Sequence, residues 1–396
     1  MANSQTSEEC KFKKSHPLSF EDLHFDARHH ILLAIDTIAD LSTLIRASPV
    51  FFQQYRLNRA FWLSYCLQLE LGSLVIDAHT VHLSTNSKFR SERTEEQTKE
   101  FTKAYHVRRS TSIWTRLDLQ ENEDIVPVVA FYSSIIKPLV SHYVEWTQGN
   151  HRYLSAAGQL SKTERRRIVR GFFRFQLICN LFGSDVLIGR FSYGHEQRLG
   201  NFLDMFEPWE REEIICIYWF INGKYLSVLE DVAWDFDEEN PRFDGKKRDP
   251  YMPEGAYHLE IFGDSYRNGL NSLGLTVLSS MFEAQDHDEL VETVAKHIIS
   301  GDGQWIDMVV DEIAQRQRRD RLFSDRDRAQ QRRDAIPFKG DKENLPPLAW
   351  VTLWEGRYSN ICGSYIPDNF RDWGYVMWDA GRLVNSGAIA TLNDDA

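Results

Sequence analysis

Three histidines, His24, His29 and His30, crowd the amino-terminal part of the chain and are the first residues that could do chemistry. Metal binding on a helix needs ligands on one face, and adjacent helical residues point about 100° apart. His29 and His30 therefore cannot act as a ligand pair, and no metal or cofactor is expected. Asp231, Asp235, Asp237, Glu238 and Glu239 form an acidic run. Paired carboxylates do acid–base work when one is desolvated, but a run ahead of Pro241 reads as a solvated loop. Gly301-Asp302-Gly303 lacks the third glycine and the preceding strand of a dinucleotide fingerprint. Arg165, Arg166 and Arg167 open a helix whose positive end gives them nothing, so they read as solvated charges with ion pairs. From Arg316 to Arg333 arginines alternate with aspartates, the pattern of a mixed-sign spacer. Trp350, Trp354, Trp373 and Trp378 could line a target-binding pocket or seal a core. No nucleophile elbow, HExxH or P-loop is present. The chemistry-bearing residues point to binding by a non-catalytic protein with no small-molecule substrate.

The chain has 396 residues with 42% hydrophobic and 26% charged, enough apolar material for a sizeable core and two or three domains of ~150 residues. The net charge of -12 repels nucleic-acid phosphates and disfavours them as the main partner. Cys10, Cys66, Cys179, Cys216 and Cys362 are odd in number and share no CxxC spacing, so reduced, buried thiols are expected. The polar segment Met1–Lys14 has no signal-peptide core. No uninterrupted apolar run reaches the ~18 residues of a membrane span, so a cytoplasmic or nuclear protein without membrane contact is expected.

These residues must be positioned mainly by helices. Ala27–Ile35 carries Ile31, Leu32, Leu33 and Ile35. Asp40 is placed to cap a second helix holding Leu41, Leu44 and Ile45. Ser48-Pro49 starts a third with Phe51, Phe52 and Tyr55, and Asn58 a fourth that stops at Gly72. A charged helical stretch falls around Glu92–Ala104. Pro127–Trp146 reads as a helix broken near Lys137, because Pro138 disfavours helical backbone before it. Lys162–Phe182 is boxed by Ser161 and Glu164, apolar nearly all round, and stopped by Gly183. Pro208–Asn222 is followed by Gly223. Residues 234–258 read as loop, Tyr266–Phe282 as helix, and Asp286 with Glu289 boxes a helix that ends before Gly301. No fixed-period repeat is present.

The order Leu23, Phe25, then Ile31-Leu32-Leu33 and Ile35, then Asp40-Leu41-Ser42-Thr43-Leu44, then Ala47-Ser48-Pro49-Val50-Phe51 resembles an F-box of the fungal type. It departs from that pattern in lacking a Leu-Pro opening, where His24-Phe25-Asp26-Ala27 stands. Stretches around Arg170–Phe182, Phe206–Trp219 and Arg371–Arg382 are similar to the later parts of those proteins. The resemblance implies a small bundle that docks on the Skp-type adaptor of a cullin-based ubiquitin ligase while the rest of the chain holds a protein target. The residues it implies for adaptor binding are Leu23, Phe25, Ile31, Leu32, Ile35, Leu44, Ile45, Val50 and Phe51. The alternative is a helical interaction protein that kept this bundle and works outside ubiquitin ligases.

The expected fold is mostly α, an F-box-like three-helix bundle followed by a larger irregular all-helical domain. Its parts are a disordered lead at 1–16, the bundle at 17–72, a helical target-binding domain at 85–310, a charged spacer at 311–347, and an aromatic-rich segment at 348–392 packing on the helical domain.

Overall fold

The computed structural model describes residues 20–85, 94–111, 125–151, 158–187, 195–246, 253–301, 337–353 and 366–394, with Leu154 and Ile306 singly. Among these residues the fold is all-helical, with no strand. The chain divides into two compact units with the boundary between Glu70 and Leu71. The expected disordered lead, the arginine-rich part of the spacer and Trp354 lie outside the described residues, as do Cys10, Cys362, Asp302 and Gly303.

In the first unit, helices α1 (Phe25–Leu33), α2 (Ile38–Ala47) and α3 (Pro49–Leu57) are joined by α4 (Arg59–Leu71). Leu32, Ile38, Leu41, Phe51, Tyr55, Trp62, Leu63, Cys66 and Leu67 are buried there. Helix ends are tied to neighbours. The Ile38 N–H donates to Glu70 at 3.2 Å, and the Tyr65 hydroxyl to the Leu33 carbonyl at 2.9 Å. Thr37, and not Asp40, caps α2: its hydroxyl accepts from the Asp40 N–H at 3.0 Å and donates to the Asp40 carboxylate at 2.6 Å. Asp40 is the third residue of α2, so the helix starts earlier than a cap at Asp40 would place it. Pro49 does open α3, but the buried Ser48 hydroxyl makes no capping bond.

The second unit is built around α8 (Lys162–Leu187) and α10 (Pro208–Asp231), which cross closely. Helices α5 (Val75–Ser84) and α11 (Leu259–Leu273) flank them, with α6 (Glu95–Thr111), α7 (Ile125–Asn150), α9 (His195–Leu203), α12 (Leu275–Glu283) and α13 (His287–His297) further out. Short helices α14 (Leu348–Leu353), α15 (Asp368–Asp372), α16 (Ala380–Ser386) and α17 (Thr391–Asp394) complete the unit.

Several expected helix ends move. α7 is not broken at Lys137: a wide π turn over Tyr132–Ile136 precedes Pro138 and absorbs its missing N–H. This makes α7 long and apolar enough, by length and composition, to cross a membrane, although polar residues interrupt its apolar run. Its Tyr132, Ile136, Leu139, Val140 and Tyr143 are buried in the fold. α8 runs through Gly183 to Leu187. A Cβ at Gly183 would lie 2.3 Å from the Ser272 carbonyl oxygen, so this glycine serves the crossing with α11 and not a helix stop. α10 likewise runs through Gly223. The stretch read as one helix, Tyr266–Phe282, is two, parted at Gly274 with φ +87°.

Candidate functional site

Two places concentrate functional side chains, one in each unit. In the second unit, Arg167, Arg170 and Arg174 stand three and four residues apart on one stripe of α8, and Glu210 and Glu213 three apart on α10. All five are buried. Arg170 grips Glu213 with two nitrogens at 2.7 and 2.6 Å and reaches Glu210 at 3.1 Å. Arg174 bridges Asp77 of α5 at 3.2 Å and Glu210 at 3.3 Å. Arg109 of α6 closes on the other Glu210 oxygen at 3.2 Å, and the Tyr105 hydroxyl donates to Asp77 at 2.5 Å. Phe206 lies between the guanidiniums of Arg109 and Arg174, 4.6 and 4.3 Å from its ring centre.

The lattice continues toward the carboxyl end. Arg167 pairs with Asp379 at 2.9 Å and Asp341 at 3.3 Å. Glu164 holds Arg382 at 2.6 Å, and Glu212 holds Arg371 at 2.7 Å. Burial alone would raise the Glu210 carboxyl, but three guanidiniums, Arg174 foremost, hold it well below the usual carboxylate range. Burial pushes the Glu212 carboxyl up, and Arg371 pulls against that rise. Burial also raises the Tyr105 phenol, with Asp77 adding to it. Such a lattice fixes which helix meets which and in what register. Its groups are committed to one another away from solvent, which suits a frame.

Arg165-Arg166-Arg167 is thus only partly the solvated run that was expected. Arg165 is exposed, while Arg166 bonds the Leu71 carbonyl at 3.2 Å and Arg167 is buried. The difference arises because Arg167 falls on the stripe facing acids brought from 174 and 212 positions further along the chain. Trp350, Trp373 and Trp378 also resolve as core and not as a target pocket. They are 1%, 3% and 1% exposed, and the Trp378 indole donates to the Trp373 carbonyl at 2.8 Å. Residues this covered present no ring to a partner.

In the first unit the nine residues implied by the resemblance divide. Leu32 and Phe51 are fully buried, which makes them bundle core and removes them from any docking face. Leu23, Ile31, Ile35, Leu44, Ile45 and Val50 are half-buried, and Phe25 is 46% exposed. Beside Ile45 lies an open groove of about 800 Å³ lined by Ser42, Ile45, Arg46, Pro49, Phe52, Tyr55, Arg56 and Arg59. Phe52 is 43% exposed. The sequence reading missed its three arginines, although one signal was there: from Leu41 to Leu69 the chain has three arginines and no acidic residue.

The remaining motifs keep their plain meanings. His29 packs edge-on against Trp62 at 5.0 Å, and the described residues hold no cluster of metal-ligating side chains. In the acidic run, Asp237 accepts from the Glu239 N–H at 2.8 Å, and Asp235 accepts His287 at 2.8 Å. Cys66, Cys179 and Cys216 are buried free thiols, and burial pushes Cys66 up to about 12. No family model matches this chain, and no curated protein and no solved structure matches it.

Proposed function

We propose that this chain is a non-catalytic substrate receptor of a cullin-type ubiquitin ligase. In this reading the first unit docks a Skp-type adaptor in the cytoplasm or nucleus, and the second unit holds a protein target. One observation carries the reading. The first unit closes its own core with Leu32 and Phe51, yet leaves Phe25, Phe52 and Leu57 46%, 43% and 77% exposed. Large apolar groups left on a small bundle that already has a core favour a partner surface. The buried ion lattice of the second unit supports the same reading, because a stiff frame presents a target at a fixed place. A receptor of this kind acts by raising the effective concentration of target at the ligase.

The test is co-purification of the full chain with a Skp-type adaptor. Wild type is expected to retain the adaptor, and Phe25→Asp, at an exposed position, to lose it with its helicity unchanged. An adaptor that fails to bind the wild-type chain refutes the proposal. The second reading is an interaction protein that kept the bundle outside ubiquitin ligases. It is favoured by the burial of Leu32 and Phe51, two of the nine residues that the resemblance assigns to the adaptor. It predicts partners captured equally by wild type and Phe25→Asp, and no adaptor among them.

A further inference from the structure

The groove between α2 and α3 has a chemistry of its own. Its floor is apolar, formed by Ile45, Pro49 and Phe52, and its rim carries Arg46, Arg56 and Arg59 with no acidic residue in the lining. All three arginines are exposed, in a protein whose net charge is -12. Two of them are held in place by aromatic neighbours. The Arg59 Nε donates to the Tyr55 hydroxyl at 3.1 Å, and the Arg56 guanidinium stacks 5.8 Å from the centre of the Phe52 ring. Neither contact uses up the charge, and no ion pair forms at any of the three among the described residues. A planar guanidinium prepositioned beside an aromatic ring loses little freedom on meeting a carboxylate and can take it with two bonds.

We propose that this groove binds an acidic protein segment carrying one apolar anchor side chain, the anchor seated on Phe52 and Ile45 and flanking carboxylates on Arg46, Arg56 and Arg59. This rests on the reading that the first unit docks a partner, and it names that partner's chemistry. Charge complementarity selects the occupant: a basic rim gains from aspartate and glutamate, and the greasy floor gains from a leucine or phenylalanine between them. A polyanion such as nucleic acid matches the rim alone. It meets the repulsion of the remaining acidic surface and leaves the floor uncovered.

The probe is a fluorescein-labelled peptide with one leucine flanked by aspartates and glutamates, titrated into the full-length protein and read by anisotropy. Three controls accompany it: the same peptide with asparagines and glutamines, the same peptide with glycine for leucine, and a labelled single-stranded oligonucleotide. The acidic leucine peptide is expected to bind about tenfold or more tightly than each control and to weaken as salt is raised. Arg56→Glu with Arg59→Glu is expected to abolish binding, and Arg56→Gln with Arg59→Gln to weaken it, with circular dichroism unchanged in both. Phe52→Ala is expected to reduce binding without removing the salt dependence. Equal binding of the amide or glycine peptide, an oligonucleotide that binds as tightly, or an unaffected double variant overturns the inference. Adaptor co-purification is scored on the same chains. An adaptor retained while the peptide stays unbound overturns the groove's assignment and spares the adaptor reading. A peptide bound with no adaptor retained does the reverse.

Discussion

Arg174 shows what a single side chain does in the buried lattice, because it bridges α5 and α10 through Asp77 and Glu210. Removing one partner of a buried pair leaves the others as uncompensated charges, so Arg174→Met is expected to cost ~3–5 kcal/mol in urea unfolding. Arg174→Lys is expected to recover only part of that loss, since an ammonium cannot span both acids. Glu210 sets a pH dependence. Its carboxyl is lowered in the folded state, so its stabilisation is present above the ordinary carboxylate range and is lost as pH falls toward the depressed value. Glu210→Gln is therefore expected to be less stable than wild type at neutral pH, with the gap narrowing in acid when urea midpoints are compared. Glu212 and Asp379, raised chiefly by burial, work in the opposite sense and moderate the acid slope of the wild type. On the surface, the hydrogen bond that the His287 imidazole donates to Asp235 raises that imidazole. Nuclear magnetic resonance titration is expected to find it charged to higher pH than an ordinary histidine. The favourable contact is present at low pH and fades as pH rises through the raised value, and Asp235→Asn is expected to shift the titration down, with Asp231 and Asp288 still holding part of the rise.

At the scale of the helix, local signals were legible and distant ones were not. The Ser161–Glu164 box forms as read, with the Ser161 N–H on Glu164 at 2.9 Å and the Glu164 N–H on Ser161 at 3.1 Å, because both partners lie within one turn. The Asp286 cap on the Glu289 N–H at 2.9 Å is legible for the same reason. Gly183 was misread as a stop because its meaning depends on Ser272 in α11, far along the chain. Gly183→Ala is accordingly expected to destabilise the protein by ~1–3 kcal/mol, measured by urea unfolding, where a helix-propensity argument alone gives a gain. The arginine stripe of α8 was hidden in the same way. Arg170 and Arg174 interrupt an apolar run, and nothing local says that Glu210, Glu213 and Asp77 will meet them. The groove of the first unit was half legible: its apolar floor follows from Ser48-Pro49 and the helix it opens. Its rim needs the packing of α2 on α3 to bring Arg46 beside Arg56 and Arg59.

At the scale of the molecule, the chain divides into two compact units, and each contains buried apolar residues. Trp62 is the one tryptophan between Met1 and Glu70, which makes it a private reporter of the first unit. Leu32→Ala is expected to cost that unit ~2–5 kcal/mol. In fluorine spectra of 5-fluorotryptophan protein, the Trp62 signal is expected to leave its folded position at lower urea while the Trp378 signal holds. The order of synthesis carries a consequence for the lattice of the second unit. Glu164 and Glu212 emerge from the ribosome long before Arg382 and Arg371, their buried counter-charges. Until the segment carrying those arginines is made these two carboxylates lack their counter-charges, although Arg170 and Arg174 already tie α8 to α10 through Glu210 and Glu213. A chain cut before Asp368, which lacks both arginines, is expected to unfold at lower urea than the chain that carries them, read by circular dichroism. The turns that carry Arg371 and Arg382 thus act as a late clasp on acids that α8 and α10 present much earlier.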